Sequence, residues 1–415
     1  MKDNKTLRFQ RGVLCEWTVK NMQKINAWLL PQGIEEVLPE EARKLETLRR
    51  QILDVFACWG YELVIPPFVD FLESLLVGSG HDLDLQTFKL TDQISGEMLG
   101  IRADMTPQVA RIDSHNLKHK RPTRLCYVGT TLRTLSNTLE NSRSPMQIGA
   151  ELYGHSGIES DCEVIRLMLE MLAITGLQKV HLDLGHVGIY RALSKQAGLS
   201  QQQETELFEV LQRKARAELN DLLDSFAIDE KSKSLFITLS SLNGGSEILA
   251  KAKQILADSN QQVTNALNEL QAVADLLTIN FPTLAISFDL SELRGYNYHT
   301  GIVFAAFIPE VGREIARGGR YDNIGEFFGR ARPATGFSAD LRLLTSLSQS
   351  AIEKPELIYA PHNNDPDLID TIRNLRATGI AVIQQLPGHQ QELSELDCTG
   401  ILEKENHKWI IKSIA

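Results

Sequence analysis

Residues 292–307 read ELRGYNYHTGIVFAAF, and this stretch decides how the chain is interpreted. A cation, two phenols and an imidazole lie between two glycines, and the chain then becomes apolar. We predict a strand here, in which alternate side chains share one face. The polar side chains on one face would be Arg294, Tyr296, Tyr298 and Thr300. Such a face suits a carboxylate and a flat polar ring, although a solvated edge strand would produce the same pattern.

Length and composition indicate a globular protein of two or three domains. The chain has 415 residues, 43% of them hydrophobic, which is enough for well-filled cores. Its net charge of −10 gives no electrostatic footprint for nucleic acid, although a local basic groove stays possible. The five scattered cysteines form no C-x-x-C pair, which favours neither a zinc site nor a disulfide framework.

The chain shows no sign of a membrane or secretory segment. No apolar run approaches the roughly 18 residues that a membrane span needs. Residues 1–27 are basic and lack the apolar region of a secretory signal. We expect them to be a disordered extension, with Met22 as the favoured translation start. Together with the cysteine usage, this predicts a reduced, cytoplasmic setting.

The remaining chain divides into a large α+β domain, 28–345, and a truncated α/β C-terminal domain, 346–415. A strong amphipathic helix over 39–59 opens the large domain. Strands grouped together, with helices at the edges, favour an antiparallel sheet over strand–helix alternation. The run 201–277, rich in Gln, Glu, Ala and Leu, indicates a helical insertion over about 190–280.

Two further segments carry polar side chains suited to a small zwitterion. In RADMTPQ, Asp104 and Thr106 stand just before a predicted helix, which Thr106 is expected to cap. In MQIGAELYG, Gln147 and Glu151 share one strand face, and Gly149 between them would leave room for a ligand. Carboxylates suit an ammonium group or a ring N–H, and arginine suits a carboxylate. For each residue alone, a cap, a loop role or an ion pair is an equally good explanation.

A third segment, RGGRYD at 317–322, is predicted to be a glycine-hinged turn flanked by arginines. It is similar to loops that handle phosphate or carboxylate groups, but it matches neither the Walker nor the G-x-G-x-x-G pattern. Alone, it is a weak signal.

Taken together and in this order, these segments resemble the histidyl-tRNA synthetase family, which has the class II aminoacyl-tRNA synthetase fold. The likeness runs over about 29–344. It rests on LLPQGIEEVLPEEA, RADMTPQVAR, CYVGTTLR, QIGAELYG, RGYNYHTG, GGRYDNI and ATGFSADLRLL. The resemblance implies an antiparallel six-stranded sheet flanked by helices, an inserted helical domain and a dimer.

Carried over by position, the resemblance implies a histidine-binding pocket. Its residues would be Asp104, Thr106, Gln147, Glu151, Arg294, Tyr298 and His299. The first three would hold the amino group, and Glu151 would read the imidazole. Arg294 would meet the carboxylate region, while Tyr298 and His299 would close over the ring. Asp104 and His299 depart from the family pattern, which has a glutamate and a tyrosine there.

The nucleotide half resembles the family less. Arg133 stands at the motif-2 arginine position, but Leu135 and Ser136 replace the glutamate and arginine that follow in the family. In motif 3 the arginine position is Leu343, and Arg342 lies one residue early, about 100° around a helix. Because losing one preorganised donor typically costs about 10²–10³ in rate, we expect only a vestigial nucleotide site, with Arg133 and Arg342 as its remains.

This combination is similar to the regulatory subunits of ATP phosphoribosyltransferase, a noncatalytic branch of the same fold. The resemblance implies no catalytic residue, metal or cofactor. It implies a hetero-oligomer with the short-form catalytic subunit, feedback regulation by free histidine in histidine biosynthesis, and no role for tRNA or a membrane. An active histidyl-tRNA synthetase or other adenylating enzyme remains the alternative. A structural partner with a vestigial pocket, or histidine bound at a subunit interface, is also compatible with the sequence.

Overall fold

The computed structural model describes residues 28–76, 81–135, 142–292, 295–296, 298–350, 356–388 and 396–414. The predicted disorder of 1–27 therefore lies outside the described residues. The chain divides into two compact units, Met1–Ser350 and Ala351–Ala415. The domain limits at 345 and 346 and the insertion limits near 190 and 280 stay predictions.

The described residues of the first unit form twelve strands. They are β1 Glu62–Leu63, β2 Val69–Phe71, β3 Phe88–Thr91, β4 Met98–Ile101, β5 Thr123–Thr130, β6 Met146–Tyr153, β7 His181–His186, β8 Asn243–Gly244, β9 Ala285–Asp289, β10 Ile302–Phe307, β11 Ala316–Arg320 and β12 Ala334–Asp340. Nine of them form one sheet in the order β1-β5-β6-β12-β11-β10-β7-β9-β8, and β2-β4-β3 form a small separate sheet.

The six central strands of the large sheet are β5, β6, β12, β11, β10 and β7. Each neighbouring pair among them is antiparallel. This confirms the predicted α+β class and the antiparallel core. The large sheet is wider than the six predicted strands, because β1 joins β5 in parallel, β9 joins β7 in parallel and β8 pairs with β9.

The helices of the first unit lie at the edges and faces of this sheet. They are α1 Pro39–Cys58, α2 Leu72–Leu76, α3 His81–Gln86, α4 Thr106–Arg111, α5 Ile158–Ile174, α6 Val187–Gln196, α7 Gln201–Gln212, α8 Arg216–Ser225, α9 Glu230–Leu239, α10 Glu247–Ile255, α11 Gln261–Asn280 and α12 Leu341–Leu347. A π-helical turn, Ile112–Leu117, continues α4, and Ile324–Phe328 is a 3₁₀ helix. Among the described helices, none is long and apolar enough to cross a membrane.

Helix α1 forms where its sequence predicts. Proline occupies its first turn and two glutamates, Glu40 and Glu41, follow, which suits the positive end of the helix dipole. It buries one stripe of side chains, namely Leu45, Leu48, Ile52 and Phe56. The helix is followed by Gly60, whose φ of +79° favours glycine at that position.

The two faces of the large sheet belong to different hydrophobic clusters. On β5, Cys126 joins the main core with α1 and α5, whereas Leu125 and Tyr127 join a smaller cluster with Tyr153 and Tyr321. This is the period-two alternation expected of a strand buried on both faces. The smaller cluster supports the candidate site.

The second unit has its own sheet and core. Its strands are β13 Leu357–Ala360, β14 Ala381–Gln384, β15 Gly400–Glu405 and β16 Lys408–Ser413, and its helix is α13 Pro366–Ala377. The sheet order is β14-β13-β15-β16, with β15 and β16 antiparallel. The β15–β16 hairpin was missed by the sequence analysis. Its two turn residues, Asn406 and His407, both have positive φ, as a tight hairpin turn requires.

Candidate ligand-binding site

A cavity of about 490 Å³ lies against β6, β10, β11 and β12. It brings together six of the seven residues predicted to bind histidine, namely Asp104, Thr106, Gln147, Glu151, Tyr298 and His299. Arg133 also lines it. Arg294 lies outside the described residues, and Arg342 is not among the described residues that line the cavity.

The floor of the cavity is built from two cross-strand rows on β6, β12 and β11. The rows are Glu151–Gly336–Gly319 and Gly149–Ser338–Arg317. The rows are two residues apart on every strand, and alternate residues share a face, so both rows project to the same side. Small residues fill most of these positions, so the few long side chains define the chemistry.

Glu151 is the most deeply buried acid of the cavity, with 1% of its surface exposed. One carboxyl oxygen accepts hydrogen bonds from Thr106 Oγ1 at 3.2 Å and from the Tyr127 hydroxyl at 3.1 Å. The other accepts one from the Tyr321 hydroxyl. Burial raises the pKa of Glu151 to about 8, although the tyrosine hydroxyls oppose that rise. The carboxyl group is therefore fixed in position and keeps its proton to a higher pH than an ordinary glutamate does.

Two glycines make room for these side chains. A Cβ added to Gly336 would lie 1.4 Å from Oε2 of Glu151, and one added to Gly149 would lie 2.6 Å from the Tyr127 hydroxyl. The expectation that Gly149 leaves room for a ligand is therefore wrong. Its space is filled by the phenol of Tyr127, which faces it across the β5–β6 pair.

Asp104 and Gln147 form a second polar group in the cavity. Gln147 Nε2 donates to Asp104 Oδ1 at 2.9 Å, and Gln147 Oε1 accepts from the Met105 amide at 2.9 Å. The Thr106 amide also donates to Asp104 Oδ1, at 2.9 Å. Thr106 is therefore the first residue of α4, not its cap as predicted, because its hydroxyl is turned towards Glu151.

The described residues of this segment, 295–296 and 298–301, do not form the predicted strand. Gly295 has a φ of +68°, and its carbonyl accepts from the amides of Tyr298 at 2.9 Å and His299 at 2.8 Å. This tight turn breaks the alternation of side chains, and strand β10 begins only at Ile302. The rings of Tyr298 and His299 lie side by side, 4.2 Å apart, and Tyr298 also contacts Tyr321 edge to face at 6.1 Å.

Tyr296 points away from these two rings and into the helical insertion. Its ring stacks on Phe208 of α7 at 5.1 Å and contacts Tyr190 of α6 at 5.3 Å. The Arg191 guanidinium lies 4.7 Å above the same ring, and the hydroxyl donates to Glu204. Phe208 itself lines the cavity, a contribution that the sequence analysis missed because nothing local marks it.

The RGGRYD segment is strand β11 and its exit, not the predicted turn. Arg320 is buried and pairs with Asp161 at 2.8 Å and with Asp322 at 3.2 Å. Thr300 Oγ1 donates to Asp322 Oδ2 at 3.1 Å, which ties the end of the 295–300 turn to β11. Arg320 is thus a structural anchor, whereas Arg317 lines the cavity.

Of the two arginines predicted as remains of a nucleotide site, only Arg133 is among the described residues that line the cavity. Arg133 lines the cavity and donates from Nε to the Ala103 carbonyl at 3.3 Å, and burial lowers the pKa of its guanidinium. Arg342 instead donates from Nη1 to the Glu35 carbonyl at 3.4 Å. Arg342 therefore contacts the segment that precedes α1.

Three acids lie close together at the edge of the cavity, and one of them, Glu292, lines it. The carboxylates of Asp183, Asp289 and Glu292 approach within 4.8 Å of one another. Lys214 Nζ lies 2.5 Å from Asp289 and supplies a positive charge to that group. Asp183 accepts a hydrogen bond from Ser287 Oγ at 2.5 Å.

Two protein families match the chain. The family described as histidyl-tRNA synthetase matches residues 33–344. The family described as the C-terminal domain of ATP phosphoribosyltransferase subunit HisZ matches residues 355–412.

Similar proteins and structures carry related descriptions. The ATP phosphoribosyltransferase regulatory subunit of Methylococcus capsulatus is 54% identical over 391 residues, covering 94% of this chain and 96% of that protein. The regulatory subunit of Thioalkalivibrio sulfidiphilus is 51% identical over 395 residues, covering 95% of this chain and 100% of that protein. A crystal structure from Bacillus halodurans is described as an ATP phosphoribosyltransferase regulatory subunit/histidyl-tRNA synthetase. It is 28% identical with a TM-score of 0.79, covering 89% of this chain and 96% of that chain. Histidyl-tRNA synthetase from Nostoc sp. PCC 7120, 19% identical with a TM-score of 0.74 and 91% coverage of both chains, shares the fold.

Proposed function

The chain belongs to the family of ATP phosphoribosyltransferase regulatory subunits, and from this premise we propose that it regulates that enzyme without catalysing a reaction itself. The observation that carries the proposal is the 54% identity to a regulatory subunit over 94% of the chain. Its role is in histidine biosynthesis, and its partner is the short-form catalytic subunit. The proposal includes a cytoplasmic setting and no tRNA ligand.

Free histidine is the proposed regulatory ligand, and the cavity is its proposed site. Glu151 offers a fixed acceptor for an imidazole N–H, held by three hydroxyl donors. Asp104, steadied by Gln147, offers a carboxylate for the ammonium group. Tyr298 and His299 add flat rings that suit a stacked imidazole.

A noncatalytic role is supported by the nucleotide half of the site. Arg342 contacts the Glu35 carbonyl, and Leu135 is 59% exposed where the synthetase family has a glutamate. The alternative, an active histidyl-tRNA synthetase, draws on Arg133, which does line the cavity. A pyrophosphate exchange assay with histidine and ATP separates the two. We expect no exchange above background, and robust exchange would favour the synthetase.

Assembly with the catalytic subunit is the direct test of the proposed function. The chain is mixed with short-form catalytic subunit and analysed by size-exclusion chromatography, and turnover of ATP with phosphoribosyl pyrophosphate is measured. We expect co-elution and a changed turnover, and histidine should then lower the turnover. Coupling between sites is typically 1–3 kcal/mol, or about 5- to 150-fold in affinity. Separate elution with unchanged turnover would reject the proposal.

A further inference from the structure

A free amino acid in this cavity needs a cation for its α-carboxylate. Four acids line the cavity, namely Asp104, Glu151, Glu292 and Glu314. Among the described lining residues, the positively charged side chains at neutral pH are Arg133 and Arg317. An unpaired carboxylate in a partly buried site costs free energy, so one of the lining arginines is expected to meet it.

Arg317 lies on the cavity floor at a suitable distance from Glu151. It pairs with Ser338, and Glu151 pairs with Gly336, two residues along the same strand β12. Arg317 and Glu151 are therefore two strands and two residues apart, roughly 12 Å between Cα atoms at ordinary strand spacing and rise. Both side chains project from the same face, and the space between them is comparable with one amino acid.

The Arg317 guanidinium has donors to spare. Its side chain is 53% exposed, and Nη1 lies 3.1 Å from Glu314 Oε1. In the described part of the chain this is its one ion pair, and a guanidinium carries five N–H donors. Arg133 differs, since it is half-buried and donates to the Ala103 carbonyl.

The charge of Arg317 reaches the rings that close the cavity. Burial raises the pKa of Tyr298, Asp104 adds to that rise, and the positive charge of Arg317 opposes it. Arg317 also acts on Arg133, whose pKa burial lowers and whose charge Arg317 repels. An anion placed between the two guanidiniums would relieve that repulsion.

We propose that Arg317 binds the α-carboxylate of the amino-acid ligand, opposite Glu151, and so selects a free amino acid over an analogue without a carboxylate. The inference rests on the proposed function and adds a residue to its site. The resemblance to the synthetase family implies instead that Arg294 contacts the carboxylate of the ligand.

The experiment compares two ligands by titration calorimetry on the full chain. The ligands are L-histidine and L-histidinol, which keeps the imidazole and ammonium groups but carries a hydroxymethyl group in place of the carboxylate. Arg317→Gln should weaken the binding of L-histidine about 10- to 100-fold, as expected for the loss of a charge-assisted hydrogen bond. The same substitution should change the affinity for L-histidinol by no more than about 2-fold. The affinity of Arg317→Lys for L-histidine should lie between those of Arg317→Gln and the original chain.

Arg213→Gln is the matched control, because Arg213 is 58% exposed and pairs with a single glutamate, Glu218, at 2.9 Å. It should bind both ligands as the original chain does. Equal losses for both ligands in Arg317→Gln, or no loss, would overturn the assignment. The assignment would also be overturned if Arg294→Gln, measured in parallel, were the only variant that loses affinity for L-histidine and not for L-histidinol. If L-histidine fails to bind the original chain, the histidine pocket itself is wrong, and this inference is wrong with it.

Discussion

At the scale of single residues, the cavity is organised around the buried carboxyl group of Glu151. Three hydroxyl groups, from Thr106, Tyr127 and Tyr321, donate to it, and Gly336 leaves the space that it occupies. The same burial that fixes its position raises its pKa to about 8. Geometry and protonation are therefore linked, and both can be tested by substitution.

The stability of the fold should depend on the titration of Glu151. Its pKa rises from an ordinary 4.5 to about 8 on folding, so the folded chain holds a proton that the unfolded chain releases between these values. Stability from this group is complete below about pH 4.5 and is lost as the pH rises through 8. The full effect is on the order of 5 kcal/mol.

We therefore expect Glu151→Gln, which stays neutral, to lose less stability than the original chain between pH 5 and pH 8. Urea unfolding at both pH values gives the four free energies of unfolding that are needed. Comparing the two chains cancels contributions from other acids, such as Asp161 and Asp340, whose pKa values burial also raises. An identical pH dependence in both chains would contradict the assignment.

Gly336→Ala should disturb the cavity specifically. The new Cβ would lie 1.4 Å from the Glu151 carboxyl group, which must move away from its three donors. We expect a loss of about 1–3 kcal/mol in stability, as for overpacked cores, and at least about 10-fold weaker histidine binding by calorimetry. Gly312→Ala is the control, because a Cβ there meets no heavy atom within 4 Å. Unchanged histidine binding in Gly336→Ala would show that the Glu151 position is irrelevant to the ligand.

Sequence reasoning brought Asp104, Thr106, Gln147 and Glu151 together correctly as neighbours in one cavity. It missed Tyr127 and Tyr321, which complete the acceptor site. Tyr127 faces Gly149 in the β5–β6 register, so a correct register for this hairpin would have revealed it. Tyr321 reaches Glu151 from a strand far along the chain, and no local pattern predicts that contact.

At the scale of elements, the turn at 295–301 connects the cavity to the helical insertion. Its alternating polar and aromatic residues are typical of a strand, but Gly295 adopts a positive φ that few other residues tolerate. The turn sends Tyr298 to the cavity and Tyr296 to α6 and α7. The structure places Tyr298 and His299 in the cavity, but on a turn and not on the predicted strand, because glycine permits both conformations.

Tyr296 should hold the insertion against this turn. Tyr296→Ala removes the ring contacts with Phe208 and Tyr190 and the contact of the Arg191 guanidinium with the ring. We expect the free energy of unfolding to fall by about 2–3 kcal/mol. Tyr296→Phe keeps the ring and removes the hydrogen bond to Glu204, for a loss of about 1 kcal/mol. Urea unfolding measures both.

Hydrogen exchange followed by mass spectrometry locates the effect of Tyr296→Ala. We expect faster exchange in α7 and in residues 298–300, while α13 exchanges as before. Uniform acceleration across the chain would mean that Tyr296 supports the whole fold, not a specific link.

At the scale of the whole molecule, the sequence predicted the class II architecture because its motifs follow one another in the family order. It did not predict that β1 and β9 join the large sheet in parallel, because pairing at sheet edges depends on contacts between distant segments. It also missed β15 and β16, whose charged residues hide the strand pattern. The core of the sheet was therefore predictable, and its margins were not.

We propose that the chain forms the dimer that its resemblance to the synthetase family implies, through apolar side chains that are exposed around β1 and β2. The exposed fractions are 47% for Leu63, 82% for Ile65, 43% for Phe68 and 50% for Phe71. Exposed apolar clusters of this kind commonly mark protein interfaces. Ile65→Glu should shift the chain towards monomer in sedimentation velocity, with little change in monomer folding because Ile65 is so exposed. Ile279→Glu, at a 75% exposed position on α11, is the control. Identical sedimentation of both variants would place the interface elsewhere.

The most direct test of the central claim is histidine inhibition of the assembled enzyme. The chain, or its Glu151→Gln variant, is combined with short-form catalytic subunit, and turnover of ATP with phosphoribosyl pyrophosphate is followed as L-histidine is added. Each curve is normalised to the turnover of the same complex without histidine. We predict that the variant needs at least about 10-fold more histidine for half-inhibition, because an amide, unlike the Glu151 carboxyl group, cannot release a proton to become a charged acceptor. Superimposable inhibition curves would contradict the account, since histidine would then act through a site that does not involve this cavity.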